Sequence, residues 1–238
     1  MKVAIGVPCG EVARYSVFYD SLMNMRGVEP GSVIMGRSGN VAENRNGIAE
    51  RAVERGYDAI FYADDDQLFS PDTLLQLMSH DVDVVSGLYV YRGLPFHPHF
   101  YDREHDGKVG PHLLKQGDGG LQEAVCVGAG CLLVKTDVFR KLAKPWWTLG
   151  QLDKVSWADD TDWCRRVRSA GFKIHCDLEC WVGHNAVMTL WPHRLDDGSW
   201  ATSGIIGNQQ VCSWPAAHDE PGPQDNGHTQ SPFVEVKV

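Results

Sequence analysis

The chain has 238 residues, 43% of them hydrophobic, enough for one substantial core and for one domain, or one domain with a long appendage. A net charge of −9 lacks the broad basic footprint of tight nucleic-acid or anionic-membrane binding, so a polyanionic partner would need a local basic patch. Residues 1–8 carry no charged-then-apolar leader and no 18-residue apolar run occurs, so a soluble, cytoplasmic protein is expected.

Strand-like and helix-like segments alternate through about the first 185 residues, which predicts an α/β fold with a largely parallel central sheet. A first strand is expected at 3–7, broken by Pro8-Cys9-Gly10. Val12, Tyr15, Phe18, Tyr19 and Leu22 then follow helical spacing up to Gly27. A short strand at 32–35 precedes Asn40 and Glu43, a capping-box-like pair that opens a helix ending near Gly56. The next strand is 59–63. Ser70-Pro71-Asp72 starts another helix, with a hydroxyl, a proline and an acid in their favoured positions. A strand at 83–91 leads into residues 92–120, rich in Gly, Pro, His and charge, read as a long loop or irregular hairpin. An apolar, Gly-interrupted stretch at 124–134, a short helix at 136–142 and a helix at 160–170 complete the pattern. The last of these carries Trp163, Val167 and Ala170 on one face and stops at Gly171. Beyond Asn185 the pattern weakens, and Pro215 to Pro232 has a composition that builds no core, so a mobile tail is expected there. The seven Cys lack disulfide-framework spacing, and several lie in apolar runs such as AVCVGAGCLLV, which predicts buried, reduced thiols.

Asp64-Asp65-Asp66 falls at the carboxyl end of the 59–63 strand, where open α/β sheets bind ligands. On an extended segment Asp64 and Asp66 would share one side and Asp65 the other. Two carboxylates about 5 Å apart repel by roughly 3 kcal/mol at an effective dielectric near 20, an arrangement most easily stabilised by a cation. Mg²⁺ or Mn²⁺ takes one or two protein carboxylates and completes its shell with water and phosphate oxygens. A solvated acidic turn before the helix at Pro71 is the alternative.

In order, VAIGVP, NVAENRNGIAERAVERGYDAIFYADDD with LFSPDTL, VGAGCLLVKTDVFRKL, WADDTDWCRRVRSAGFKIHCD and VGHN resemble the family-2-like glycosyltransferases with the GT-A fold, over roughly residues 1 to 188. The resemblance implies a three-layer α/β fold with a mixed, mostly parallel central sheet in one domain, residues 1–200. About 1–91 would form the nucleotide-sugar-binding half and 92–200 the acceptor-binding half, leaving 201–238 as a partly disordered extension. It implies a metal-dependent glycosyltransferase, using Mn²⁺ or Mg²⁺, that moves a hexosyl or pentosyl group from a UDP- or GDP-sugar to an acceptor hydroxyl.

By that resemblance Asp66 is the main metal ligand, Asp64 contacts metal or ribose, Asp65 sits beside the nucleotide, and His184 joins the metal. Pro8 and Glu11 would cradle the base, and Arg45 and Asn46 would approach the nucleotide or diphosphate. Arg45 shares a helical face with Ile48, Ala49 and Ala52, so its charge wants a partner; snorkelling off the helix end is the alternative. Asp159-Asp160 matches the family's base-bearing pair, with Asp159 where Glu is usual, and an inverting transferase needs such a carboxylate beside the acceptor hydroxyl. Asp160 is assigned that role, helix capping being its bland counterpart.

Other readings stand beside these. His175, Cys176, Cys180 and His184 could be zinc ligands, but the spacing lacks a C-x₂-C knuckle. Trp146-Trp147 and the loop Leu94–Phe100 could face a sugar or fill core. Arg165, Arg166 and Arg168 read as a solvated face, and Arg92, Arg103, Lys108 and Lys115 could form a strip for a hydroxylated DNA acceptor. A nucleotidyltransferase, or a non-catalytic sugar- or cation-binding module, would use the same fold.

Overall fold

The computed structural model describes residues 1–9, 16–36, 39–106, 108–152, 155–157, 159–198, 200–206 and 209–215. The chain divides into two compact units, Met1–Asn185 and Ala186–Val238.

The first unit runs β1 (Val3–Pro8), α1 (Ser16–Asn24), β2 (Val33–Gly36), α2 (Val41–Glu54), β3 (Ala59–Ala63), β4 (Gln67–Leu68), α3 (Thr73–Ser79) and β5 (Val84–Leu88). It continues with β6 (Phe100–His105), β7 (Lys108–Pro111), β8 (Leu121–Ala124), β9 (Cys126–Val127), β10 (Cys131–Lys135) and α4 (Thr136–Lys141). It closes with β11 (Gly150–Leu152), β12 (Val155–Trp157), α5 (Asp159–Ser169), β13 (Ile174–Trp181) and β14 (Gly183–His184). Seven strands form the central sheet in the order β2-β1-β3-β10-β5-β13-β8. Its pairs β1/β2, β1/β3 and β13/β5 are parallel, while β10 and β8 run against their neighbours. The sheet is therefore mixed, with five strands pointing one way, because β10 inserts antiparallel between β3 and β5.

Alternation along the strands sends side chains into two cores. Ala4, Ile60, Tyr62, Leu132 and Val134 pack with Ile48, Ala49 and Ala52 of α2, Phe139 of α4 and Trp163 of α5. Ile5, Val7, Phe61, Ala63 and Leu133 pack on the other face with Phe18 and Leu22 of α1 and Leu74 and Leu77 of α3. This is a three-layer α/β/α sandwich. Helix α2 begins where the sequence says: the side chain of Asn40 accepts a hydrogen bond from the Glu43 amide at 2.8 Å. It lies so close to the sheet that a Cβ at Gly6 would stand 2.5 Å from Ile48 Cγ2.

The structure decides readings that the sequence left open and corrects others. Trp146 and Trp147 are buried core residues, with Trp147 stacked on Trp163 at 4.5 Å and 6° between ring planes. Arg165 and Arg168 both pair with Glu104, and Arg166 donates to the carbonyls of Ala143, Pro145 and Trp146, so these three are not a merely solvated face. The long loop contains the antiparallel hairpin β6–β7. The second unit begins at Ala186 rather than near 201, and it is built: β15 (Thr189–Arg194), β16 (Trp200–Ile206) and β17 (Gln209–Pro215) form an antiparallel meander. The tail expected beyond Pro215 lies outside the described residues. Cys9, Cys126, Cys131, Cys164, Cys176 and Cys180 are buried free thiols, as composition suggested.

Gly6→Ala is expected to destabilise the protein by about 2 kcal/mol through overpacking against Ile48. Urea unfolding measures it, and the cost should shrink in an Ile48→Ala background, where the obstructing methyl is gone.

Candidate functional site

The carboxyl end of β3 is the starting point. After Ala63 the chain leaves the sheet in a turn, with the Asp64 amide donating to the Gly130 carbonyl at 3.0 Å and the Gln67 amide to the Asp64 carbonyl at 3.1 Å. Asp64 and Asp66 do face a common pocket and Asp65 does not line it, but a turn rather than strand alternation brings this about. Just beyond, β4 pairs antiparallel with β14, setting His184 opposite Gln67, and the Asn185 amide donates to the Asp66 carbonyl at 2.8 Å. This short ladder carries His184 to Asp66. Gly183 permits it, since a Cβ there would press on Leu68 Cβ at 3.1 Å. Gly130 likewise leaves room at the acidic turn, where a Cβ would meet Gln67 Nε2 at 2.9 Å and Asp64 Oδ2 at 3.2 Å.

The resulting pocket has a volume of about 260 Å³ and is lined by Arg45, Asp64, Asp66, Asp159, Asp160 and His184, together with Gln67, Tyr89, Tyr91, Arg92 and His99. Arg45 joins its two acidic sides. Its Nη2 donates to both carboxylate oxygens of Asp64 at 2.9 Å, and its Nη1 donates to Asp159, the first residue of α5. Only 5% of the Arg45 side chain is exposed, and its guanidinium lies 5.2 Å from the Trp147 ring. Burial works against this charge, but Asp64, Asp159 and Asp160 outweigh it and hold the group protonated beyond its ordinary range.

Four carboxylates and two guanidinium groups line the pocket, a formal excess of two acids over the arginines. The excess is felt by the acids. Burial, then the charge of Asp159, raises the Asp160 pKa to about 6 against the partial relief from Arg45. Burial also raises Asp64, with Arg45 opposing and Asp66 adding to the rise. Asp66 behaves differently: burial pushes it up, but His184 and Arg92 together bring it below its ordinary value. Arg92 Nη1 stands 2.9 Å from Asp66 Oδ2. Burial lowers His99 to about 4 and pushes Tyr89 well up, so both are neutral at pH 7.

The orientation of His184 bears on whether a cation fits. Nδ1 lies 2.7 Å from the Val90 carbonyl, an acceptor, so Nδ1 carries the proton and Nε2 faces Asp66 Oδ2 at 3.5 Å. In the neutral ring two lone pairs then confront each other, a clash that a second ring proton or a shared cation resolves. A backbone carbonyl behind a ring nitrogen is also how ligating histidines are commonly oriented. Among the described residues no group of three or more His, Cys, Asp or Glu gathers as a cage. Asp66 and His184 form a two-donor site, with Asp64 held by Arg45, and two protein donors suffice for Mg²⁺ or Mn²⁺. The pocket also holds buried atoms without partners, Arg45 Nε, Gln67 Oε1 and His99 Nδ1, out of seven such atoms among the described residues. Such atoms are ones that a bound ligand or ordered water would satisfy. The residues therefore fit a divalent cation with an oxygen-rich ligand.

Other expected contacts lie elsewhere. Asn46 is taken up by structure: its amide nitrogen donates to the Trp147 carbonyl at 2.7 Å, and its oxygen accepts from the Trp146 and Trp147 amides. Pro8 is buried at the end of β1, opposite Gly36, and does not line the pocket; Glu11 lies outside the described residues. The zinc reading fails, since Cys176 and Cys180 lie in the cores and nothing near them forms a metal group among the described residues. Tyr89 and Gln67 had no functional reading in the sequence, and His99 had one only as part of the loop Leu94–Phe100. The signal for Tyr89 was available, because it directly follows β5 at the ligand-binding edge of the sheet.

An acidic pocket at the carboxyl edge of a three-layer, mixed seven-stranded sheet gives the chain a GT-A-like fold, as the resemblance implied. The solved structure of A197 from STIV is similar to it, with a TM-score of 0.54 and 16% identity, covering 92% of this chain and 100% of that one. At that identity the likeness is one of fold. No family model and no curated protein matches the sequence. No described helix is long and apolar enough to cross a membrane.

Arg45→Met should destabilise the protein by about 3–5 kcal/mol in denaturant unfolding, because it strands two carboxylates that the guanidinium now pairs. It should also raise the Asp160 pKa further above 6, since Arg45 opposes that rise; carboxyl-carbon NMR titration reads the change.

Proposed function

We propose that the protein is a metal-dependent glycosyltransferase that moves a sugar from a nucleoside-diphosphate sugar to an acceptor hydroxyl, with inversion. The observation that carries this reading is the meeting, in one pocket of about 260 Å³, of the Asp66–His184 donor pair with a carboxylate, Asp160, whose pKa of about 6 suits a general base.

Asp66 and His184 would hold Mn²⁺ or Mg²⁺, which when bound supplies positive charge to the departing diphosphate. Asp160 takes the proton of the acceptor hydroxyl as its oxygen bonds to the anomeric carbon. The bond from that carbon to the diphosphate oxygen breaks in the same displacement, and the electron pair leaves with the diphosphate. Arg45 positions both sides, holding Asp64 at the metal side and Asp159 beside the base. Its charge keeps Asp160 from rising beyond about 6, so the base is mostly ionised at pH 7. The donor would be a UDP- or GDP-sugar. The acceptor strip suggested for DNA is weakened by Arg92, whose charge goes to Asp66, and by Arg103, which binds the Pro111 carbonyl at 3.0 Å.

Incubation with Mn²⁺ and a panel of nucleotide sugars tests the proposal. Free nucleoside diphosphate supports transfer, pyrophosphate from triphosphates points to a nucleotidyltransferase, and binding without either product points to a binding module. Asp160→Asn is expected to lower turnover by about 10²–10⁴-fold while a nucleotide diphosphate with Mn²⁺ still raises the melting temperature. In the parent protein kcat/KM should fall tenfold per unit below about pH 6, where Asp160 becomes protonated. A flat profile down to pH 5 removes Asp160 from the base role. Asp66→Ala should abolish the Mn²⁺-dependent stabilisation, and its survival would defeat the metal assignment.

A further inference from the structure

The two arginines of the pocket differ in how they are held. Arg45 is buried on α2 between two carboxylates, whereas the Arg92 side chain is 49% exposed and pairs with Asp66. Arg92 stands at the tip of a ribbon between β5 and β6. The ribbon is closed by the Val90–Pro98 bridge, by the Tyr91 amide donating to the His97 carbonyl at 2.7 Å, and by the His99 amide donating to the Tyr89 carbonyl at 2.8 Å. Its stem contributes Tyr89, Tyr91 and His99 to the pocket, and its Val90 carbonyl holds Nδ1 of His184. One short ribbon thus orients His184 and caps Asp66 with a positive charge.

We propose that Arg92 is a placeholder cation: it neutralises Asp66 while the site is without metal, and moves to the ligand's phosphate oxygens when a divalent cation takes its place on Asp66. This rests on the donor site described under Proposed function. Three observations carry it. Arg92 and His184 both face the same oxygen, Asp66 Oδ2, at 2.9 and 3.5 Å, so a cation shared by Asp66 and His184 would lie against the guanidinium and repel it. The pocket has a formal excess of two acids over the arginines with Arg92 present, so a divalent cation balances it without expelling any carboxylate, and an arriving diphosphate then restores the negative charge that Arg92 can follow. A guanidinium fork pairs with two phosphate oxygens, and the half-exposed side chain is free to swing where Arg45 is not.

Mn²⁺ alone, followed by loss of the free-ion EPR signal, and UDP or GDP at saturating Mn²⁺, followed by calorimetry, test this on the full chain. Arg92→Met is expected to bind Mn²⁺ about fivefold more tightly than the parent, the gain set by removal of one half-exposed ion pair, and to bind UDP or GDP with Mn²⁺ at least fivefold more weakly. Arg92→Lys, keeping charge without the fork, should leave Mn²⁺ affinity near the parent value and still weaken nucleotide binding. Unchanged or weaker Mn²⁺ binding in Arg92→Met overturns the exchange, as does unchanged nucleotide binding. If the parent binds Mn²⁺ and Asp66→Ala does not, the donor site survives that failure. If neither the parent nor Arg92→Met binds Mn²⁺, both ideas fall. Arg92 lies on an exposed ribbon, so the variants are expected to fold, and unchanged far-ultraviolet circular dichroism verifies it.

Discussion

The pairing of Arg45 with Asp64 on one side and Asp159 on the other is the interaction on which the pocket depends. The two acids are brought to it by distant stretches of chain, the end of β3 and the start of α5, Asp159 standing 114 positions after Arg45. A buried guanidinium is costly to desolvate, and it persists here because its fork finds two carboxylates and its face finds an indole. The indole is itself fixed: Trp147 stacks on Trp163 of α5, its ring nitrogen donates to the Tyr62 hydroxyl at 3.3 Å, and its backbone is bound by Asn46, the neighbour of Arg45. Core packing and the charge network are therefore one assembly. A change in the hydrophobic layer beneath α2 would be felt at Asp160.

Topology explains why these residues meet. Strands β3, β5 and β13 point the same way, so Asp64, Tyr89 and His184 follow their carboxyl ends on one edge of the sheet. Because β10 runs oppositely between β3 and β5, it is its entrance, Gly128 to Gly130, that reaches this edge. That approach is tight: a Cβ on Gly128 would fall 2.0 Å from the Tyr89 hydroxyl, and the Gly130 amide donates to that hydroxyl at 3.0 Å. The antiparallel strand thus supplies backbone where parallel strands supply side chains, and the missing Cβ atoms at Gly128 and Gly130 leave room for the Tyr89 ring and the acidic turn.

Much of this was legible in the sequence, for physical reasons that are local. The 59–63 strand matches the observed β3, Asn40 and Glu43 announced the start of α2, and the position of Asp64 and Asp66 at a strand end announced an acidic site. What stayed hidden is non-local. A charged side chain at position 45 plainly needed a partner, but nothing near it in sequence names Asp159. The Trp146-Trp147 pair follows a proline in a turn, which left facing a sugar and filling core equally open, because the Trp163 ring that stacks on it comes from α5. Asn46 and Arg166 looked available for ligand or solvent because their acceptors are backbone groups, which carry no sequence signal. The second unit escaped for another reason: its strands TLWPHR, WATSGII and QQVCSWP mix apolar and polar residues without the alternation that betrays a half-buried strand.

Electrostatic selection within the pocket follows from the same geometry. Burial moves neutral-favouring groups out of play: Tyr89 is pushed up and His99 down to about 4, so neither exchanges a proton near pH 7. Arg45 stays charged at any pH the fold survives, because three carboxylates hold its proton. Asp160 is left between these limits, raised by burial and Asp159 and checked by Arg45 at about 6. Replacing Arg45 by a neutral side chain would not just remove a contact; it would let the carboxylates settle their mutual repulsion by protonation, raising both Asp64 and Asp160, whose pKa values Arg45 now holds down.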